Sequence, residues 1–365
     1  MRRHYWFFLI SFVLMVDVLS HLLLLPKFSL EIGQITNVEH PANLSLLAPE
    51  ESVAKKIYFV GDLMLARNVE RRLANTDTTQ ALLNFASIWS NAYVVANFES
   101  AVPSVHSPTP DFAFQFSTKK ELLPGLQTAG ITHVSLANNH AYDFGLAGYQ
   151  NTISEMDAIG IAAFGDPYRL GTSSVSIVDT GEATVALIGI NLTLGELNFS
   201  QLTTLVDDLS KTTDIQLAYI HWGEEYNNNQ SEQQRNVAIK LAQMGIDVII
   251  GHHPHVIQGI ERIKDTLVFY SLGNFLFDQY FSADVQNGLM LALVIKSDSL
   301  QFEVVPVSSL DSRVKPFVLE GQSRQEILNK LATLSDPELN DAILMGALTL
   351  QRKLASSTEV VIMTE

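Results

Sequence analysis

Short apolar runs alternate with amphipathic segments through the middle of the chain. The runs are rich in β-branched residues and end at Gly, Asp, Asn or His, so they predict buried strands. Amphipathic segments with a period near 3.6 predict helices between several of them. The predicted strands are Ile57–Val60, Tyr93–Ala96, His133–Ala137, Ser174–Val178, Thr184–Ile190, Ile215–Ile220, Asp247–Ile250, Leu267–Ser271, Leu289–Ile295 and Gln301–Val307, and the predicted helices are Asn68–Asn75, Lys119–Ala129, Gly148–Ile159 and Glu232–Met244.

This order of elements is typical of α/β layers in which sheets pack between helices. The alternating stretch Phe112–Phe116 predicts an additional edge strand. From Gln322 onward the sequence is rich in Leu and Ala and predicts helix. We therefore expect a globular domain at residues 55–310, followed by a C-terminal helical extension at residues 311–365.

The N-terminus predicts a membrane anchor at residues 1–26, followed by a tether at residues 27–54. Arg2 and Arg3 precede a mostly apolar run, Tyr5–Leu25, which has about the 20 residues that a membrane-spanning helix needs. No small-residue cleavage site follows the run. Because basic residues favour a cytoplasmic N-terminus, we expect a single-pass protein of the cell membrane with an extracytoplasmic body.

A cleaved signal peptide is the alternative interpretation of this N-terminus, and it exports the body equally well. Asp17 and His21 lie inside the apolar run and make a helix that crosses the bilayer alone less favourable. A partner helix that faces Asp17 would remove that cost.

Composition excludes two classes of function. The chain has 39 acidic and 23 basic residues, and it carries no stripe of Lys or Arg, so nucleic acid is not an expected partner. It has no cysteine, which excludes disulfides, thiolate metal sites and a cysteine nucleophile.

Polar clusters stand at the ends of five predicted strands, which suggests one composite site at the rim of the sheets. Each cluster also has a purely structural interpretation, such as a helix cap or a turn. The clusters are Gly61-Asp62, Asn97-Phe98-Glu99, Asn138-Asn139-His140, His221-Trp222-Gly223-Glu224 and Gly251-His252-His253-Pro254-His255.

The last cluster is the strongest indication of a metal site. In an extended segment, His253 and His255 share a face, and Pro254 between them stiffens it. On the same argument His252 points the opposite way, and we exclude it. Neutral imidazoles at a strand end are the ligands of open metal sites.

The other clusters supply oxygen ligands and proton-transfer groups. Asn97 and Glu99 share one face of a strand end and suit a hard cation. Asp143 follows His140 closely and could set the tautomer of its ring. After His221, either Glu224 or Glu225 could act as a base or orient a ligand. Asn274, after a later strand, either contacts substrate or caps a turn.

Six motifs, in this order, resemble the capsule-synthesis CapA family, also called poly-γ-glutamate synthesis proteins. The resemblance runs from about Ile57 to Val307. The motifs are Gly61-Asp62-Leu63-Met64-Leu65-Ala66-Arg67, Asn97-Phe98-Glu99-Ser100, Leu136-Ala137-Asn138-Asn139-His140-Ala141-Tyr142-Asp143-Phe144-Gly145, His221-Trp222-Gly223, His253-Pro254-His255-Val256 and Tyr270-Ser271-Leu272-Gly273-Asn274-Phe275.

That family is similar to the calcineurin-like metallophosphoesterases, so the resemblance implies a four-layer α-β-β-α sandwich and a divalent metal (Mn, Zn, Mg or Fe). It implies that His140 is the catalytic acid or base, and that Glu99 lies where the superfamily has a bridging Asp. Asp143 joins these two as a catalytic candidate. The metal ligands implied by the resemblance are Asp62, Asn139, His221, His253 and His255, and the substrate-binding candidates are Arg67, Asn97, Asn274 and Glu224.

Two departures from the superfamily pattern affect the expected number of metals. Met64 stands where that pattern has a His, two residues after its first Asp, and Glu99 replaces the bridging Asp. One metal position has therefore lost a ligand, which favours a mononuclear or weak site.

Three hypotheses about function follow. The first is an envelope protein that acts in synthesis, export or anchoring of poly-γ-glutamate or a related capsule polymer, with a metal-assisted site. The second is a metal-dependent phosphoesterase or a peptide or amide hydrolase, and the third is a non-catalytic assembly factor of a capsule synthase. The expected partners are the membrane, a polyanionic polymer or peptide substrate, and capsule synthase subunits.

Overall fold

Two mixed β-sheets with helices on their outer faces make up the described part of the chain. The computed structural model describes residues 54–73, 78–110, 112–310 and 312–352. The predicted anchor and tether lie outside these residues, apart from Ala54. Within the described residues, no helix is long and apolar enough to cross a membrane.

The first sheet has the order β14-β13-β12-β1-β2-β3-β4, with β11 beside β1 and β15 beside β13. Its strands β1 to β4 are parallel, whereas β12 to β15 are antiparallel to their neighbours. The strands are β1 Ile57–Leu63, β2 Tyr93–Phe98, β3 His133–Ser135, β4 Ala162–Phe164, β11 Asn274–Leu276, β12 Asn287–Ile295, β13 Ser299–Ser308, β14 Phe317–Val318 and β15 Ala347–Gln351.

The second sheet has the order β5-β6-β7-β8-β10-β9. Its four central strands are parallel, and the two edge strands β5 and β9 are antiparallel to their neighbours. The strands are β5 Val175–Asp179, β6 Thr184–Asn191, β7 Ile215–His221, β8 Val248–His252, β9 Ile260–Ile263 and β10 Thr266–Phe269.

The helices of the described residues vary from six to fourteen residues in length. Four short 3₁₀ turns accompany them, at Lys120–Leu122, Thr172–Ser174, Asp284–Gln286 and Pro337–Leu339. The helices are Arg67–Leu73, Thr78–Ala86, Pro124–Ala129, Gly145–Ala158, Phe199–Leu209, Glu232–Gln243, Gly321–Leu334 and Asn340–Met345.

Strand β1 is buried on both faces, which explains its continuous apolar sequence. Ile57 and Phe59 point into a core between the two sheets. Tyr58 and Val60 point the other way, into a core that the sheet shares with helices. A third core lies between the second sheet and helices Phe199–Leu209 and Glu232–Gln243. The layers are therefore helix, sheet, sheet and helix.

Most predicted strands and helices are confirmed within a few residues, and the differences have local causes. The predicted edge strand Phe112–Phe116 is wrong, because Phe112 has a left-handed backbone (φ 63°) and forms part of a turn. The predicted helix at Lys119–Ala129 is interrupted, since Pro124 begins a new helix after a 3₁₀ turn. Helix prediction from Gln322 onward fails at Ala347–Gln351, which pairs with β13.

The parallel strands of both sheets bring polar residues to one rim. In the first sheet, Asp62 of β1 is in register with Asn97 of β2. In the second sheet, His221 ends β7 and is in register with His252, which ends β8. Because carboxyl ends of parallel strands meet at one edge, residues from distant positions in the sequence converge there.

Gly251 of β8 has no room for a side chain, because neighbouring atoms lie close to its Cα. A Cβ at this position would lie 2.0 Å from the carbonyl oxygen of Tyr270 and 2.5 Å from Nε1 of Trp222. We expect Gly251→Ala to lower the free energy of unfolding by about 3 kcal/mol or more, because the strands must separate to admit the methyl group. Urea unfolding of the purified chain measures this.

Gly195→Ala is the matched control, because nothing lies within 4 Å of a Cβ added there. Its expected effect is within about 1 kcal/mol of the wild type. Equal stability of the two variants would show that the strands around Gly251 are not packed as described.

Candidate metal centre

Asp62 is fully buried, and hydrogen-bond donors surround its carboxylate. Asn97 Nδ2 donates to Oδ1 at 2.9 Å, and His252 Nδ1 lies 3.1 Å from the same oxygen. His255 Nδ1 lies 3.1 Å from Oδ2, to which the backbone N–H of His253 also donates at 3.3 Å. Burial alone raises the pKa of Asp62, but the hydrogen bonds from His252 and His255 hold it well below its usual range.

Glu99 is equally buried but has the opposite protonation behaviour. Its Oε1 accepts a hydrogen bond from Asn97 Nδ2 at 2.8 Å, whereas its Oε2 has no hydrogen-bond partner among the described residues. Burial and the neighbouring charge of Asp62 raise the pKa of Glu99 well above its usual value. Two neighbouring buried carboxylates repel each other when both are ionised. A proton or a bound cation would remove that repulsion.

His221 and His253 bring nitrogen ligands to the same place. Burial, followed by the proximity of His253, lowers the pKa of His221 well below its usual value. Burial and the neighbouring His255 lower the pKa of His253 to about 4. The ring centroids of His221 and His253 lie 4.7 Å apart. Both rings are therefore neutral at physiological pH, which is the form that binds metal ions.

Asn139 joins His221 to His140. Its Oδ1 lies 2.8 Å from His221 Nε2, and its Nδ2 lies 3.0 Å from His140 Nε2. His140 Nδ1 lies 3.0 Å from Oδ2 of Asp143, and the ring of Phe116 stacks on the imidazole at 3.9 Å. Because an ionised carboxylate only accepts hydrogen bonds, Asp143 fixes the proton on Nδ1 and leaves Nε2 as the basic atom.

The donor atoms suit a divalent cation. In each of two groups, Asp62–Glu99–His221 and Glu225–His253–His255, one potential ligand atom from every residue lies within 4.8 Å of the others. Three buried atoms of this region, Glu99 Oε2, His252 Nε2 and His253 Nδ1, have no hydrogen-bond partner among the described residues. Carboxylate oxygens and neutral imidazoles together are typical ligands of Zn, Mn and Fe.

The structure brings together most of the residues that the sequence indicated. Nine of the twelve candidates lie in or beside the cluster, and Arg67 lies at its outer side. The nine are Asp62, Asn97, Glu99, Asn139, His140, Asp143, His221, His253 and His255. Asn97 is buried and donates to both Asp62 and Glu99, so it organises the cluster from within.

Of the two remaining candidates, Asn274 contacts the cluster from behind, and Glu224 lies apart from it. Asn274 lies behind His255, with its Oδ1 2.9 Å from His255 Nδ1, while its Nδ2 donates to Gln279 and Val285. Its amide therefore orients His255. Glu224 lines a separate small cavity together with Trp222.

Among the residues near the cluster, the sequence pattern gives no ligand role to His252 and gives Glu225 only as an alternative to Glu224. The direction expected for His252 differs from the structure, because β8 is buried on both faces and Nδ1 of its last residue lies 3.1 Å from Asp62 Oδ1. The segment beyond is not extended either, since His253 and His255 have positive φ angles of 96° and 57°. The signal in the sequence is the unbroken apolar run before His252. A run of this kind predicts a buried strand, and an imidazole buried at its end requires a polar partner. Of the two neighbouring carboxylates, Glu225 lies near His253 and His255, whereas Glu224 lines the cavity beside Trp222.

Comparisons with known proteins agree with this arrangement of motifs. Residues 56–279 match the family described as "Bacterial capsule synthesis protein PGA_cap". The chain is 29% identical over 290 residues to "PGA biosynthesis protein CapA" of Bacillus subtilis (strain 168), which covers 75% of this chain and 76% of that protein. It is 27% identical over 316 residues to "Capsule biosynthesis protein CapA" of Bacillus anthracis, with coverages of 80% and 77%.

Among solved structures, a hypothetical protein from Thermus thermophilus superposes with a TM-score of 0.44 and 16% identity, covering 73% of this chain and 99% of that one. The family match spans well over half of the 365 residues and includes the cluster around Asp62. The resemblance to CapA proteins is thereby confirmed, and this chain belongs to the bacterial capsule synthesis protein family PGA_cap.

Proposed function

We propose that this protein is anchored in the cell membrane and acts outside the cytoplasm in the synthesis, export or anchoring of poly-γ-glutamate or a related capsule polymer. We further propose that it does so through a metal-assisted site in a fold of metallophosphoesterase type. The buried cluster around Asp62, with its unpartnered ligand atoms, is the observation that supports a metal-assisted function. The names of the two CapA relatives support the capsule polymer.

Two groups of side chains would hold a cation, Asp62–Glu99–His221, with Asn139 beside His221, and Glu225–His253–His255. His252 offers a further nitrogen. When bound, a divalent cation would supply Lewis-acid polarisation of a carbonyl or phosphoryl group. Water is already excluded from the inner residues, since Asp62 and Glu99 have no exposed surface. Electrostatic interactions there are therefore stronger than at an open surface.

His140 is the residue that we assign to proton transfer. Asp143 holds the proton on Nδ1, so Nε2 is the atom that accepts or returns a proton at the site. Asn139 is next to that nitrogen and also next to His221, which places the base beside the proposed cation ligands. Phe116 covers one face of the ring and limits its rotation.

One observation favours a second candidate, a non-catalytic assembly factor. Met64 is buried in the core, and its Sδ accepts a hydrogen bond from the backbone N–H of Ala66 at 2.8 Å. It therefore contributes packing where the superfamily pattern has a His. An assembly factor would depend on the apolar segment Tyr5–Leu25 and would tolerate substitutions at the site.

The metal can be tested by direct binding. We expect the purified full chain to bind Mn²⁺ or Zn²⁺, and we expect Asp62→Asn to bind at least tenfold more weakly, because the inner carboxylate loses its charge. Isothermal titration and elemental analysis measure affinity and stoichiometry.

Asp214→Asn, in which a surface carboxylate is neutralised, is the matched control and is expected to bind like the wild type. A wild-type chain that binds neither ion, or equal binding by Asp62→Asn, would contradict the metal site.

Proton transfer can be tested in cells that depend on this protein for their polymer. We expect His140→Ala to lower polymer production at least tenfold, because general acid–base catalysis typically contributes 10²–10⁴-fold to rate. Asp143→Asn is expected to lower it less, since the base remains but its tautomer is no longer fixed. Polymer per cell, normalised to protein abundance, is the measurement.

His106→Gln serves as the histidine control, because His106 contacts Glu70 and Ser117 outside the cluster. Normal production in both His140→Ala and His253→Ala would refute the catalytic function. If deletion of Tyr5–Leu25 abolishes production in the same assay, that result supports the assembly factor. A metal-dependent turnover of simple phosphate esters by the purified chain would instead support a phosphoesterase.

A further inference from the structure

Two arginines, Arg72 and Arg313, lie over the ring of Tyr280, and a third, Arg67, forms an ion pair with the nearby Asp278. We propose that Arg67, Arg72 and Arg313, together with the Tyr280 hydroxyl, form an arginine track that binds successive carboxylates of a polyanionic chain and leads it to the centre. This inference rests on the proposed function, because it assigns the surface through which the polymer would reach that site.

The track joins distant parts of the sequence. The guanidinium of Arg72, in helix Arg67–Leu73, lies 5.7 Å from the ring centroid of Tyr280. The guanidinium of Arg313, in the segment after β13, lies 5.2 Å from the same centroid. The fold therefore places two exposed cations at one ring, in a chain with a formal net charge of −16.

Within the described residues, neither Arg72 nor Arg313 forms an ion pair, and the Nε of Arg72 donates to the amide oxygen of Asn68 at 3.1 Å. Stacking on Tyr280 stabilises each guanidinium. However, two like charges at one ring repel each other, and an anion bound between them would remove the repulsion.

The Tyr280 hydroxyl is a second, independent indication of a ligand. Its oxygen is buried and has no hydrogen-bond partner among the described residues. Burial and the neighbouring Asp278 raise the pKa of Tyr280 to about 12, so the phenol keeps its proton at physiological pH. A protonated hydroxyl beside guanidinium groups is a donor for a carboxylate oxygen.

Arg67 connects the track to the centre. It forms an ion pair with Asp278, yet its buried Nε has no hydrogen-bond partner among the described residues. Its guanidinium lies 4.3 Å from the ring centroid of Phe116, which in turn stacks on His140. Arg67 also lines a cavity of about 380 Å³ with Asn68, Phe112, Tyr226, Asp278, Gln279 and Phe281. An anion at Arg67 is therefore one aromatic ring away from the proposed base.

A polycarboxylate fits these features better than a single anion. The acidic body repels a polyanion as a whole, so binding requires a local row of positive charge. Arginine forms bidentate hydrogen bonds with carboxylates, and several such groups in a row engage several units of one chain. The exposed rings of Phe112 and Phe281 can pack against the apolar parts between its charges.

Polymer binding by the detergent-purified full chain tests the track. Fluorescence anisotropy of labelled poly-γ-glutamate at low ionic strength gives the Kd. We expect Arg72→Gln and Arg313→Gln each to raise the Kd about threefold to tenfold, and the double variant to raise it further and to reduce its salt dependence. Both side chains are exposed, so folding is expected to be unaffected.

Arg262→Gln is the matched control, because it removes the same charge from an exposed position on β9, in the other sheet. Equal Kd values for this control and for the double variant would overturn the proposal. Inorganic phosphate and free glutamate are the competing probes. If either competes as strongly as an oligomer of equal charge concentration, the site is a simple anion site and the polycarboxylate assignment is wrong.

Mn²⁺ binding, measured on the same variants, separates this inference from the proposed function. Weaker polymer binding with unchanged Mn²⁺ binding supports the track. If the wild type binds no metal but its polymer binding still depends on Arg72 and Arg313, the metal-assisted function fails and the track remains. If the wild type binds no polymer, the track itself is refuted, whatever the metal does.

Discussion

An ionised carboxylate that has no contact with solvent is the constraint on which the rest of this structure depends. Asp62 has no exposed surface, so its charge is stable only if protein donors replace water. The donors are the Asn97 amide, the rings of His252 and His255 and the backbone of His253. Removing one partner of a buried charge costs about 3–5 kcal/mol, so this one side chain ties both sheets together at their rim.

The same constraint brings together atoms that could hold a cation. Asp62 remains charged, while Glu99 beside it has a raised pKa and an oxygen without a donor. His221 and His253 are kept neutral by burial. The cluster thus contains three buried polar atoms without a hydrogen-bond partner among the described residues, whereas buried polar groups usually have one. A divalent cation would supply a partner for such atoms through coordination.

How far the sequence predicts this arrangement depends on the range of the interactions involved. Strand β1 and Asp62 near its end are predictable, because a local apolar run followed by Gly61 and a carboxylate is visible in the sequence. The orientation of His252 is not, because alternation along a strand separates two faces only where one of them meets solvent. Nothing local in the sequence distinguishes Glu225, which lies near His253 and His255, from Glu224, which lines another cavity. Phe112–Phe116 alternates like a strand but has no neighbouring strand to pair with in the described residues.

The two potential ligand groups differ in solvent exposure. This difference matters because Met64 stands where the superfamily pattern has a His. Asp62, Glu99 and His221 are buried, so a cation there is dehydrated and held by strong electrostatic interactions. Glu225 is exposed, so the outer group with His253 keeps contact with solvent. Reacting groups need an open coordination position, whereas structural sites are closed. In the proposed function, the outer group is therefore the one that would keep an open coordination position, and Met64, whose Sδ accepts a backbone hydrogen bond, contributes packing.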